Sequence, residues 1–136
     1  MRVLVDTCIW SQVLRRKSPN TELAAVLEDL IRDGRVAVIG PIRQELLSGI
    51  SSTVQFKKLT SALTAFEDIN LTTDHFIRAA EFCNLCRGKG VQGSTTDFLI
   101  CAVAHIERLL ILTTDSDFKN YQQYLPIALY APERTD

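Results

Sequence analysis

Hydrophobic and polar positions fall along the chain in blocks of two kinds. "RVLV", "RVAVI" and "LLIL" are short, continuous apolar runs that end at Asp6, at Gly40 and at the threonines 113–114. Runs of this length, partly β-branched and apolar on consecutive positions, mark strands buried on both faces of a parallel sheet. "INL" and "IALYA" are weaker runs of the same kind. Between the runs, apolar residues recur every three or four positions, which is the helical period. Ile9, Trp10, Val13 and Leu14 predict a helix after the first strand. Leu23, Val26, Leu27, Leu30 and Ile31 predict a stronger one, with Pro19 near its start and Gly34 as its stop. "PIRQELLSG" is a short helix with Pro41 in the first turn and Gly49 at its end.

The next stretch is amphipathic through Phe56, Leu59, Leu63 and Phe66, and "TTDHFIRAAEFCNLCRGKG" through Phe76, Ile77, Ala80 and Leu85, with His75 on the polar face. "STTDFLICAVAHIER" is apolar nearly all round, so it is expected to be central and buried. Strands alternating with helices predict a parallel sheet covered on both faces, with right-handed crossovers. Ligands of such sheets bind beyond the carboxyl ends of the strands, where the strand order reverses. Asp6 follows the first strand and Asp115 the fourth, so they share a crevice if those strands are neighbours.

At 136 residues the chain is expected to form one domain, and a 23% share of charged residues is that of an ordinary globular protein rather than a disordered one. The formal charge of −1 argues against a passive nucleic-acid-binding module, which would carry a basic field. Basic residues cluster locally as Arg15, Arg16 and Lys17, as Lys57 and Lys58, and as Arg87 and Lys89. "MRVLVDTCIW" meets an acid too early for a signal peptide, and "FLICAVAHI" is far below the ~18 apolar residues of a membrane span. A cytoplasmic protein is expected. Cys83 and Cys86 form a lone C-x-x-C with no second pair, which is too little for a zinc site; Cys8 and Cys101 have the setting of small core side chains.

Each acid has a structural reading of its own. Asp6 suits a helix N-cap, Glu45 is an ordinary surface glutamate, and Asp97 stands three residues after Ser94 as in a capping box. Taken together, Asp6, Glu45, Asp97 and Asp115 each open a segment after a strand or turn, and those places share one edge of a doubly wound sheet. Two such charges ~4 Å apart repel by ~4 kcal/mol at an effective dielectric near 20. A cation would offset that repulsion, and a set of oxygen ligands favours Mg²⁺ or Mn²⁺ over zinc.

The four stretches "VDTCIW", "IRQELLSG", "TTDFLICAVA" and "LTTDSDF" resemble, in order and over essentially the whole chain, the motifs of the PIN-domain family. The similarity is greatest to VapC-type toxin ribonucleases of toxin–antitoxin pairs. The resemblance implies a three-layer α/β/α domain over residues 1–136, with a central parallel sheet of about five strands. It implies a Mg²⁺-dependent endoribonuclease, with Mn²⁺ as the alternative ion, in which a metal-activated water cleaves RNA such as tRNA or rRNA. By motif position, Asp6, Glu45, Asp97 and Asp115 match the catalytic metal-site acids. Thr7, Thr114 and Asp117 match supporting positions, with Asp117 expected to cap a turn or hold Thr114. Arg87, with Gly88 or Gly90, matches a substrate-phosphate contact. A VapB-like antitoxin and a homodimer are implied as partners, with "IWSQVL" and "ELAAVLEDLI" as the dimer contact. No sequence-local Ser–His–Asp or Cys–His grouping competes as a nucleophile. An aspartyl-nucleophile phosphatase would read Asp-x-Asp where this chain has Asp6-Thr7-Cys8. A nuclease acting on DNA or in RNA processing, and a non-catalytic interaction protein, remain as alternatives.

Overall fold

The computed structural model describes residues 1–15 and 18–132, so Arg16 and Lys17 of the first basic patch lie outside the described residues. In chain order the elements are β1 (Val3–Val5), α1 (Thr7–Trp10) running into a π-helical turn (Ser11–Arg15), α2 (Thr21–Arg32), β2 (Val36–Ala37), α3 (Gly40–Leu47), α4 (Thr53–Leu63), α5 (Thr73–Gly88), α6 (Thr95–Glu107), β3 (Leu110–Leu112) and α7 (Asp117–Gln122). The sheet order is β2–β1–β3, all parallel, with Val3 opposite both Val36 and Leu110 and Val5 opposite Leu112. Every residue of β1 is buried, which is why its sequence shows no polar alternation.

The two weaker runs bring one parallel bridge each: Asp68, the residue just before "INL", with Val38, and Leu129 of "IALYA" with Ile111. Five parallel segments thus line up, and three are strands. The ladder beyond β2 stays short for a local reason. Ile39 already caps α3 and Thr72 already caps α5, so little extended chain is left to pair on that side.

α2 stops as Gly34 predicts. Gly34 adopts φ 67°, its N–H donates to the Ile31 carbonyl and the Arg35 N–H to the Leu30 carbonyl, the paired bonds of a Schellman end. α6 is the central helix, with every residue from Phe98 to Ala104 buried. No described helix is long and apolar enough to cross a membrane.

α5 faces the opposite way from the expectation. Phe76 and Ile77 are each 53% exposed and Leu85 45%, while His75, Phe82 and Cys86 are buried. The inward stripe runs 75, 79, 82, 86, and its first member is a histidine. His75 can be buried because both ring nitrogens are partnered: Nδ1 accepts from the Thr72 N–H at 2.9 Å and Nε2 lies 2.9 Å from Glu107 Oε1. The expected dimer stretches also turn largely inward. Ile9, Trp10, Leu27 and Leu30 belong to the chain's own core, leaving Leu14 and Ile31 partly exposed.

Candidate active site at the sheet reversal

From β1 the chain passes to β2 on one side and later reaches β3 on the other, so the strand order reverses at β1. The carboxyl ends of β1 and β3 are tied together there, with the Asp6 N–H donating to the Leu112 carbonyl at 2.9 Å. Crevices at such reversals are the usual ligand sites of open parallel sheets.

Asp6 is the N-cap of α1 and stands at the sheet reversal. Its Oδ1 accepts from the Thr7 N–H at 2.8 Å, and its Oδ2 from the Thr113 hydroxyl at 2.9 Å and the Cys8 thiol at 3.5 Å. Burial raises the Asp6 carboxyl above its ordinary pKa, the bonds from Thr113, Thr7 and Cys8 act against that, and the Asp97 charge adds to the rise. Cys8 is therefore not merely a core side chain. It is half-buried within the crevice, and its sulfur also accepts from the Thr114 N–H at 3.4 Å.

Asp97 sits in the first turn of α6. The cap at this end uses its backbone, with the Asp97 N–H donating to Ser94 Oγ at 3.0 Å, so capping does not consume the carboxylate. The carboxylate's partner is Tyr121, whose hydroxyl donates to Asp97 Oδ2 at 2.7 Å. Burial is the main cause raising the Asp97 carboxyl; hydrogen bonds from Tyr121 and Ser94 oppose it, and the charges of Asp115 and Asp117 add to it. Tyr121 is itself pushed strongly upward by burial and by Asp97, so its hydroxyl stays protonated and donates.

Asp115 and Asp117 follow β3. The Asp115 N–H donates to Thr113 Oγ1 at 3.0 Å, and Asp115 Oδ1 accepts from the Asp117 N–H at 2.9 Å. Asp115, not Asp117, holds the turn that opens α7. Thr114 is bound elsewhere, accepting from Gln12 Nε2 at 2.8 Å, and makes no hydrogen bond to Asp117 among the described residues. One carboxylate oxygen from each of Asp97, Asp115 and Asp117 lies within 4.8 Å of the others. Asp117 thus stands beside the expected acids as a potential ligand, whereas its matched role was a supporting one.

Glu45 is exposed on α3 and outside that trio. It reaches the crevice through Thr7, whose hydroxyl donates to Glu45 Oε2 at 3.2 Å. Arg87 is exposed at the end of α5, with Nη2 3.9 Å from Cys83 Sγ and no ion pair among the described residues. It lines a cavity of about 310 Å³ with Cys83, Val91, Gln92, Gly93 and Phe98. Gly93 is the glycine next to the site, since it packs on the Tyr121 hydroxyl; Gly88 and Gly90 have no such contact. A larger groove, about 630 Å³, is lined by Leu14, Arg15, Ile50, Lys58 and Leu59 among others and includes none of the acids. Neither histidine enters the crevice: His75 is partnered as above, and His105 packs on Phe82 with ring centroids 5.8 Å apart.

Thr113 and Tyr121 are the residues that sequence reasoning missed. Thr113 joins Asp6 to the Asp115 backbone through one hydroxyl, and its only sequence signal is a polar residue directly after a strand. Tyr121 left no signal beyond its helical spacing from Phe118. The trio fits a divalent cation by its chemistry: three clustered carboxylates, all oxygen donors, with the Asp97 carboxyl raised by burial and by the charges of the other two.

Solved structures with the same fold include FitAcB from Neisseria gonorrhoeae (21% identity, TM-score 0.78, 95% of this chain and 96% of that one). Others are VapBC2 from Rickettsia felis bound to a DNA fragment from its promoter (18%, 0.75, 96% and 98%) and VapBC-5 from Mycobacterium tuberculosis (18%, 0.68, 95% and 98%). No curated protein matches the sequence. The PIN domain family model matches residues 3–123, and PIN domains are generally nucleases, hydrolases of phosphodiester bonds. By that match over most of its length, the chain belongs to the PIN domain family.

Proposed function

We propose that this PIN domain is a divalent-metal-dependent endoribonuclease and the toxin of a VapBC-type toxin–antitoxin pair. The observation that carries the reading is the convergence of Asp97, Asp115 and Asp117 within 4.8 Å, with buried Asp6 beside them at the sheet reversal. Asp97, Asp115 and Asp117, with Asp6 and Glu45 at the margin, would hold one or two Mg²⁺ or Mn²⁺ ions. Such an ion supplies Lewis acidity, making water a nucleophile at neutral pH and neutralising charge on the leaving oxygen.

The chain's own groups do the rest. Asp97 Oδ2 and Asp115 Oδ1 accept protein donors, which leaves the other oxygen of each free to face a ligand or to take the proton of the attacking water. Thr113 fixes Asp6 against Asp115, and Thr7 tethers Glu45. Arg87 would supply a cation for a substrate phosphate from the cavity it shares with Gly93 and Phe98. The structural neighbours that are toxin–antitoxin complexes support a VapB-like antitoxin as partner, and the toxin is proposed to be a homodimer.

Labelled RNA and single-stranded DNA, each with Mg²⁺ and with chelator, test the activity and the substrate together. RNA cleavage with Mg²⁺ is expected; cleavage of DNA alone would reassign the substrate. The toxin reading is tested by growth: expression slows it, and co-expression of the adjacent gene restores it. Equal growth with the active protein, an Asp6→Asn variant and empty vector would overturn that reading.

A further inference from the structure

We infer that Tyr121 is a positioning residue for the acid site: its buried hydroxyl fixes which carboxylate oxygen Asp97 presents to a cation, and Gly93 provides the space for that hydroxyl. The inference rests on the metal-site reading above. Tyr121 is fully buried, so it cannot touch substrate, and its hydroxyl donates to Asp97 Oδ2 at 2.7 Å. A buried tyrosine needs a partner for its hydroxyl, and here the partner is a site acid.

The ring is held from two helices. It packs on Phe98 of α6 with centroids 5.1 Å apart and on Phe118 of α7 at 5.2 Å. The terminal torsion of an aspartate is broad and roughly two-fold. With Oδ2 anchored by a rigid donor, that torsion is fixed and the second oxygen points in one direction. Asp115 is anchored in the same manner by the Asp117 N–H. Two of the three clustered carboxylates thus carry a dedicated protein donor.

Gly93 supplies an independent observation. Its backbone is not in the left-handed region, so conformational need does not explain a glycine there. Space does: a Cβ at this position would overlap the Tyr121 hydroxyl and adjoining ring atoms, whereas Cβ atoms at Gly34, Gly49, Gly88 and Gly90 would meet nothing. Gly93 also lines the cavity beside Arg87. The glycine therefore lets the loop 91–94 pass close to the hydroxyl without displacing it from Asp97.

The test is Mn²⁺ binding followed by electron paramagnetic resonance, on wild type, Tyr121→Phe and Gly93→Ala, with Leu30→Ala as a core-destabilised control. Tyr121→Phe keeps the ring and removes only the donor. It is expected to weaken Mn²⁺ ~10–100-fold, the usual cost of losing a partner that orients a metal ligand. Gly93→Ala should weaken binding in the same direction, and Leu30→Ala should leave it unchanged. RNA cleavage by Tyr121→Phe should recover when Mn²⁺ is raised by the same factor, with the KM for RNA unaltered, which a collapsed site would not do. An affinity in folded Tyr121→Phe within about threefold of wild type would overturn the assignment, because a lost orienting partner typically costs ~10-fold or more. So would a loss of cleavage that excess Mn²⁺ fails to rescue. Wild-type protein that binds no Mn²⁺ would overturn the metal-site reading itself, and this inference with it.

Discussion

Asp6 and Glu45 belong to one crevice but are held in opposite ways. Asp6 is 7% exposed, stands at the end of the central strand and accepts from a backbone amide, a hydroxyl and a thiol. Glu45 is exposed on α3, with one hydroxyl contact at 3.2 Å. The same division separates Asp97, anchored by Tyr121, from Asp117, whose contribution to the local bonding is its backbone N–H. The inner acids are set by folding and lie among one another's charges. The outer acids keep side-chain freedom and can adjust to whatever binds. A site built this way is placed by its inner half and completed by its outer half.

The largest break comes from the anchored acids. Asp97→Asn and Asp115→Asn should each remove essentially all metal-dependent cleavage, a loss of ~10³-fold or more if several kcal/mol of charge stabilisation depend on the ion. Gel assays of labelled RNA at saturating Mg²⁺ would measure it. Near-normal turnover by Asp115→Asn would remove that residue from the machinery.

The outer acids should cost less. Asp117→Asn is expected to lower cleavage ~10–100-fold, and Glu45→Gln to fall at the low end of that range, since each leaves the anchored pair intact. Titration of metal against both variants checks this, with excess Mg²⁺ partly restoring each. A smaller change, Thr7→Val, isolates the tether. The Asp6 cap uses the Thr7 backbone and survives, while Glu45 loses its partner; one hydrogen bond of ~0.5–1.5 kcal/mol translates to a few-fold to ~10-fold loss. Additivity of Thr7→Val with Glu45→Gln would contradict the idea that both act through one contact.

Stability separates the halves in the metal-free protein. Folding raises the Asp97 carboxyl above its ordinary 3.8, so the native state binds more protons than the unfolded one between those two values. Stability therefore falls as pH rises through that window, and the cost is fully present above it. Asp97→Asn removes this cost but also loses a helix-dipole contact of ~0.3–1 kcal/mol. The Ser94 cap is retained because it uses the Asp97 backbone. The variant should be as stable as the metal-free parent or more so at neutral pH, with any advantage fading below about pH 4, near the ordinary carboxylate value. Thermal melts across pH would show it. Destabilisation by several kcal/mol at neutral pH would instead mark Asp97 as primarily structural.

Much of this arrangement was legible in the sequence because strand ends are. Asp6 and Asp115 follow continuous apolar runs, and Asp97 opens the most apolar helix, so topology alone brings them together. The bonds that aim them were not legible. Thr113 and Thr114 look alike in "LTTDSDF", yet Thr113 faces Asp6 and Thr114 faces Gln12. Tyr121 reads as a core aromatic, and nothing local says that its hydroxyl ends on a residue 24 positions away. α5 misled for the complementary reason. Its inward stripe begins with a histidine partnered by Thr72 and Glu107, while Phe76 and Ile77 point outward, so counting apolar residues selected the wrong face. The outer segment at Asp68 shrank to a single bridge because the helix caps at Ile39 and Thr72 use up the extended chain on that side.

The proposed function is that these acids hold a divalent cation with which the chain hydrolyses RNA. It is tested most directly by following one labelled RNA with wild type and Asp115→Asn, prepared in parallel, through chelation and then Mg²⁺ re-addition. Wild-type cleavage is expected to stop with chelator, to return with Mg²⁺, and to be absent from the variant under both conditions. Cleavage that persists in chelator, or that is equal in the two proteins, would contradict it.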